Sequence, residues 1–200
     1  MPETPITPTG PTAPTGKAGP TAKAGATTQA EPSGPGEPFT RGKPIPGRTT
    51  AAAEGDLVVF LIGMRINHFR APHHWLRVFV AMPRMLRELR RRPDSGLLGY
   101  QLLAGSPRTY YVVQYWASKE QLLRYASDLT GLHRPAWTMV NRYERKKALH
   151  VGIWHETYVV PAGNYESIYG DMPPYGLGAA TGIRPLREGV GAQSRLDGHR

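Results

Sequence analysis

The 200-residue chain contains no cysteine, so it has no disulfide framework, no thiolate metal site and no cysteine nucleophile. Long apolar runs are also missing: the longest in the middle of the chain is about ten residues, too short to span a bilayer. The start, Met1-Pro2-Glu3-Thr4-Pro5, does not develop the apolar segment of a secretory signal. These absences lead to the expectation of a cytoplasmic protein with no membrane partner. Acidic residues are few, 15 against 25 Lys and Arg, for a net charge of +10. Such a surplus attracts nucleic acid, acidic membranes or anionic small molecules. Residues 1–55 hold five Lys or Arg and four Glu, +1 of the +10, which leaves +9 for residues 56–200.

Proline (20) and glycine (23) are plentiful, and many lie in the first 48 positions. Residues 1–54, rich in Pro, Gly, Thr and Ala, cannot bury enough apolar surface to offset their ordering entropy. They are expected to form a disordered tail, and residues 178–200, polar and Gly-rich, a second one. Between them, residues 55–177 show a single order of elements. An apolar strand (Leu57 to Ile66) precedes an amphipathic helix that opens after Pro72 and carries the stripe Trp75, Val78, Phe79, Met82, Leu86 and Leu89. Pro83 inside that pattern predicts a kink or a break. Two strands follow (Leu97 to Leu103, Tyr110 to Ala117), joined at Ala104-Gly105-Ser106-Pro107. Ser118, with Gln121 three residues on, opens a second helix interrupted near Thr130-Gly131. A last strand runs from His150 to Val160. The order is β-α-β-β-α-β, an α+β ferredoxin-like fold. The first strand is apolar at almost every position, the pattern of a strand covered on both faces. In so small a domain that predicts a homodimer, with a second copy's sheet as the other cover.

Seven histidines are present, and no pair has a metal-ligand spacing. On the last strand, Trp154, Glu156 and Tyr158 share one face, and Ile153, His155 and Thr157 the other. Ionisable residues in an apolar strand are costly, which makes His155 and Glu156 functional candidates or satisfied interface residues. The arginines of the first helix (Arg77, Arg84, Arg87, Arg90, Arg91, Arg92) read as a solvated face that complements the helix dipole. With no interleaved aromatic readout, they do not argue for nucleic-acid binding.

The stretch from Gln114-Tyr115-Trp116-Ala117-Ser118-Lys119-Glu120 to His133 and Trp137 resembles the antibiotic-biosynthesis monooxygenase superfamily, ferredoxin-like domains that dimerise into an α/β barrel. More closely, residues 57–177 are similar to a monooxygenase-like family of bacteria and fungi. The marks are Arg65-Ile66-Asn67, His133 with Trp137, Gly152-Ile153-Trp154-His155-Glu156-Thr157-Tyr158, Tyr165-Glu166 with Ile168-Tyr169, and Met172-Pro173 before Gly176-Leu177. The resemblance implies a monooxygenase-like oxidoreductase acting on an aromatic or polycyclic small molecule. The alternative is a non-catalytic binding or stress-related module of the same fold. It implies no cofactor, as in quinol-type monooxygenases, or haem, as in haem-degrading relatives. The haem residues of the latter correspond to Asn67, Tyr125 and the ligand His133, with a Tyr for a Trp and a shorter spacing to the His; His155 is a rival ligand. The implied catalytic residues are His133, His155 and Glu156. The implied pocket lies between sheet and helices, with Asn67, Trp116, Trp137, Trp154, Tyr158 and Tyr169 holding the substrate.

Overall fold

The structure is a computed structural model that describes residues 42–128, 130–132, 134, 138, 141–142, 149–186, 191–192 and 196. In chain order its elements are β1 (Arg48–Ala51), β2 (Leu57–Ile66), α1 (Pro72–Arg90), β3 (Leu97–Ser106), β4 (Thr109–Trp116), α2 (Lys119–Ser127), β5 (Val151–Val160), β6 (Tyr169–Gly170), α3 (Leu177–Thr181) and β7 (Ile183–Pro185). The run β2-α1-β3-β4-α2-β5 is the expected ferredoxin-like order. Its four strands form one antiparallel sheet in the order β3-β4-β2-β5.

Even-numbered positions of β2 face the helices. Val58 joins Leu86 and Leu89 of α1, Leu122 of α2, and Val112 and Trp116 of β4 in the core. Trp116 is fully enclosed, and its indole N–H donates to Gln114 Oε1 at 3.0 Å. Pro83 does not break α1, which is continuous from Pro72 to Arg90. Met85, Leu86 and Leu89 are buried beyond it. Each such burial contributes about 1.5–3 kcal/mol, and together they outweigh the roughly 3 kcal/mol cost of an interior proline. Beyond α1, Gly96 takes a left-handed φ of 83°, and a Cβ there would meet Gln121. Strands β3 and β4 run closer together than expected, leaving only Pro107-Arg108 as the turn. Ser118 caps α2 as expected, accepting from the Gln121 N–H at 3.2 Å. The helix ends at Ser127, and the rest of the second helical stretch falls largely outside the described residues.

Ordered structure extends outside 55–177. β1 lies within the expected N-terminal tail, and β7 within the expected C-terminal one. With β6 they form a second sheet, in the order β6-β1-β7, on the far side of the main sheet from α1 and α2. Ala51 and Ala53 pack with Leu57 and Leu177 and against Val59, Tyr115 and Tyr169. The Ala51 N–H donates to Ser167 Oγ (2.9 Å) and the Tyr165 hydroxyl to the Gly55 carbonyl (2.9 Å). α3 lies so close to β3 that a Cβ on Gly99 would sit 2.7 Å from that of Ala180. Part of the second cover over β2 therefore comes from this chain's own residues 48–53 and 165–185, not from another copy. Alanine, threonine and glycine carry too little apolar surface for that role to show in the sequence.

Candidate functional site

A cavity of about 820 Å³ lies between α1, α2 and the inner face of the main sheet. Its floor is built by register. Phe60 pairs with Thr157, Ile62 with His155, and Met64 with Ile153, so these six side chains project to the helix side. Met82 and Phe79 of α1 and Leu122 and Leu123 of α2 supply apolar walls. Three of the polar side chains of the lining have hydrogen-bond partners. The Tyr110 hydroxyl donates to the Pro107 carbonyl (3.2 Å) and the Ser127 hydroxyl to the Arg124 carbonyl (3.1 Å). Asp128 accepts from Arg92 Nη1 (2.7 Å) and from both the N–H and the hydroxyl of Thr130 (2.8 and 2.6 Å). The Thr130 and Arg92 hydrogen bonds hold its carboxyl well below the usual carboxylate range. Arg92 Nη2 also donates to Glu88 Oε1 (2.6 Å), so α1 is tied to the segment that leaves α2 at the cavity rim. His155 remains. Its ring lies 5.8 Å from that of Phe60, and it has no side-chain hydrogen bond among the described residues. It is the one imidazole on the described cavity wall. An imidazole left free over an apolar floor can exchange a proton with a bound molecule.

The other expected site residues that the structure describes do not line this cavity. Glu156 and Trp154 project from the opposite face of β5, as the alternation requires, opposite Leu61 and Gly63 of β2. Trp154 crosses Gly63 so closely that a Cβ there would sit 2.5 Å from its indole nitrogen, and its ring lies 6.0 Å from that of Tyr111. Glu156 Oε2 accepts from the Tyr158 hydroxyl at 2.7 Å, which raises the Tyr158 phenol. Trp116 is core, and Tyr169 belongs to the second sheet, where its hydroxyl accepts from the Gly178 N–H (2.9 Å). Burial pushes the neighbouring Tyr115 phenol up to about 12. His133 and Trp137 lie outside the described residues.

Of the residues implied for haem, Asn67 and Tyr125 are described, and they lie apart. Tyr125 packs on Trp116, 5.9 Å between ring centres, and Trp116 pairs with Val58. Asn67 stands just past the other end of β2, nine residues from Val58, about 30 Å at 3.3 Å per residue. Burial, then the Glu88 charge, raises the Tyr125 phenol. Asn67 and Tyr125 thus stand towards opposite ends of β2, and the expected ligand His133 lies outside the described residues.

Two features escaped sequence reasoning. Met64, Met82 and Thr157 of the cavity were legible only as members of apolar or alternating stripes. A contact chain of imidazoles, His73 to His74 (4.3 Å between centres), His74 to His150 (4.6 Å) and His150 to His68 (5.3 Å), forms where β2, α1 and β5 meet. Only tertiary structure brings it together. Among the described residues no group of three His, Asp or Glu is arranged to hold a metal ion. Among them, too, no helix is long and apolar enough to cross a membrane.

A family model described as monooxygenase af470-like matches residues 57–177. Monooxygenase af470 of Aspergillus fumigatus is 34% identical over 155 residues, 67% of this chain and 54% of that protein. The chain thus spans about half the length of this curated relative. Aldoxime dehydratase OxdRE, solved with butyraldoxime, is similar in fold (TM-score 0.53, 17% identity, 70% of this chain and 41% of that one). SnoaB, a cofactor-independent oxygenase from Streptomyces nogalater, matches at a TM-score of 0.36 and 18% identity, over 52% of this chain and 91% of that one.

Proposed function

The chain belongs to the monooxygenase af470-like family, and from that premise we propose that it is a monooxygenase-like oxidoreductase that oxygenates an aromatic or polycyclic small molecule inside the helix-side cavity. The observation that carries this reading is the apolar cavity of about 820 Å³ with the free imidazole of His155 on its floor. A cavity of that size and polarity suits a flat, mostly apolar molecule. His155 acts as general base, removing a proton from a phenol or from a CH₂ group between aromatic rings. The resulting electron-rich anion reduces O₂ directly. For a CH₂ group the carbon gains one oxygen as a carbonyl and loses two hydrogens; for a phenol a ring C–H carbon gains the oxygen as a quinone carbonyl, with loss of that hydrogen and the hydroxyl hydrogen; in both the second oxygen leaves as water, so no outside reductant is needed. Phe60, Ile62 and Met82 exclude water and hold the rings. Glu156 and Tyr158, on the other face, belong to a surface for a second copy of the chain rather than to the chemistry.

The test is oxygen uptake with a panel of hydroquinones and hydroxyanthrones, with ¹⁸O₂ to follow the label into product and water. Wild type is expected to consume O₂ with at least one of them. Ala104→Trp, which fills the rim from an exposed position, should abolish uptake with the fold intact. Tight binding of the panel without turnover would favour the non-catalytic module instead, and unchanged uptake in Ala104→Trp would remove the cavity from the chemistry.

A further inference from the structure

We propose that α1 docks this protein on the surface of bilayers containing anionic lipid, with the mouth of the cavity turned to the membrane. The helix buries one side, where Met85, Leu86 and Leu89 enter the core. Yet it is also apolar on the outside. Leu76 (49% exposed), Phe79 (41%) and Val80 (38%) stand in solvent with Pro83. At about 100° per residue these four fall within one sector of about 100°. Phe79 and Pro83 line the cavity mouth, and across it stands Leu123 of α2, 62% exposed. Large apolar side chains clustered around an open apolar cavity mark an interaction surface.

The charge beside this surface selects the partner. The stretch from Pro72 through Arg92 carries six arginines and a single acid, Glu88. Arg92 engages Glu88 and Asp128, whereas Arg84, Arg87 and Arg91 are exposed and have no acidic partner among the described residues. Together with Glu88, Arg92 and Leu132 they line a cleft of about 400 Å³. Going along α1, the outward face changes from Leu76 and Val80 to Arg84, Arg87 and Arg91. A basic amphipathic helix of this kind lies in the headgroup region, apolar side chains in the acyl boundary and arginines on lipid phosphates. An acidic protein would satisfy the arginines but not the apolar sector. A duplex nucleic acid would leave Leu76 and Val80 wet. A lipophilic molecule dissolved in the bilayer would then reach the cavity between Phe79 and Leu123 without crossing water.

The experiment is co-sedimentation of the full chain with phosphatidylcholine vesicles, with and without about 30 mol % phosphatidylglycerol. Binding to the anionic vesicles should exceed binding to the neutral ones by about tenfold or more and weaken as salt is raised. Arg84→Glu/Arg87→Glu/Arg91→Glu should abolish it, and Leu76→Ser/Val80→Ser, at positions outside the cavity wall, should reduce it about fivefold or more. Far-ultraviolet circular dichroism checks that both variants are folded. No vesicle binding, or binding that survives both variants, overturns the proposal. So does binding to heparin or DNA as tight as to vesicles and indifferent to Leu76→Ser/Val80→Ser, which would assign the face to a soluble polyanion. The readout is binding alone, so its failure is distinguishable from failure of the catalytic reading.

Discussion

His155 and Glu156 are chain neighbours with different surroundings. One meets the floor of an apolar cavity and the other the far side of the sheet. That division follows from strand alternation and was legible in the sequence. What the sequence could not supply was which face holds the cavity, because that depends on where α1 and α2 pack. Trp116 misled for a related reason: an aromatic at the end of a strand reads equally well as pocket wall or core, and only the packing of α1 and α2 encloses it fully. At the same scale, Asp128 makes a prediction about pH. Its hydrogen bonds from Thr130 and Arg92 hold its folded value below the ordinary 3.8. The stabilisation is therefore complete above pH 3.8 and lost as pH falls from there towards the folded value. Asp128→Asn should melt below wild type by a constant interval from pH 7 to 5, an interval that narrows below about pH 4. An interval unchanged down to pH 3 would contradict this account of the Arg92 network.

Elements with strong periodicity were legible, and short ones were not. β2, β5 and the two helix starts follow from apolar runs, Pro72 and the Ser118 cap. β1, β6 and β7, two to four residues each, are held by pairing partners more than 100 residues apart in sequence. No local pattern announces such pairings. Pro83 shows the reverse: a strong local signal overruled by the packing of Met85, Leu86 and Leu89 beyond it. Replacing it restores the backbone donor that the helix lacks without touching the buried stripe. Pro83→Ala is expected to raise stability by about 1–3 kcal/mol, measured by urea unfolding. A loss of stability would mean that the ring itself is needed at the cavity mouth.

For the whole molecule, the apolar face opposite the helices is only half covered from within. The second sheet shields the end near Leu57 and Tyr115, while Leu61, Tyr111 and Trp154 are only partly buried and Tyr158 is half exposed at 50%. A second copy is expected to cover this remainder, so light scattering should give twice 22.0 kDa. Tyr158→Glu, beside Glu156 at an exposed position, should return it to 22.0 kDa by like-charge repulsion. Wild type that stays a single chain at high concentration would contradict the pairing. The cavity does not depend on it, since every wall residue named here comes from one chain. The most direct measurement is oxygen uptake by His155→Gln and Glu156→Gln side by side, with one accepted substrate and matched melting temperatures. The account predicts a fall of about a hundredfold or more for His155→Gln and near-wild-type rates for Glu156→Gln. The opposite ranking, or equal losses, would move the chemistry to the other face of the sheet.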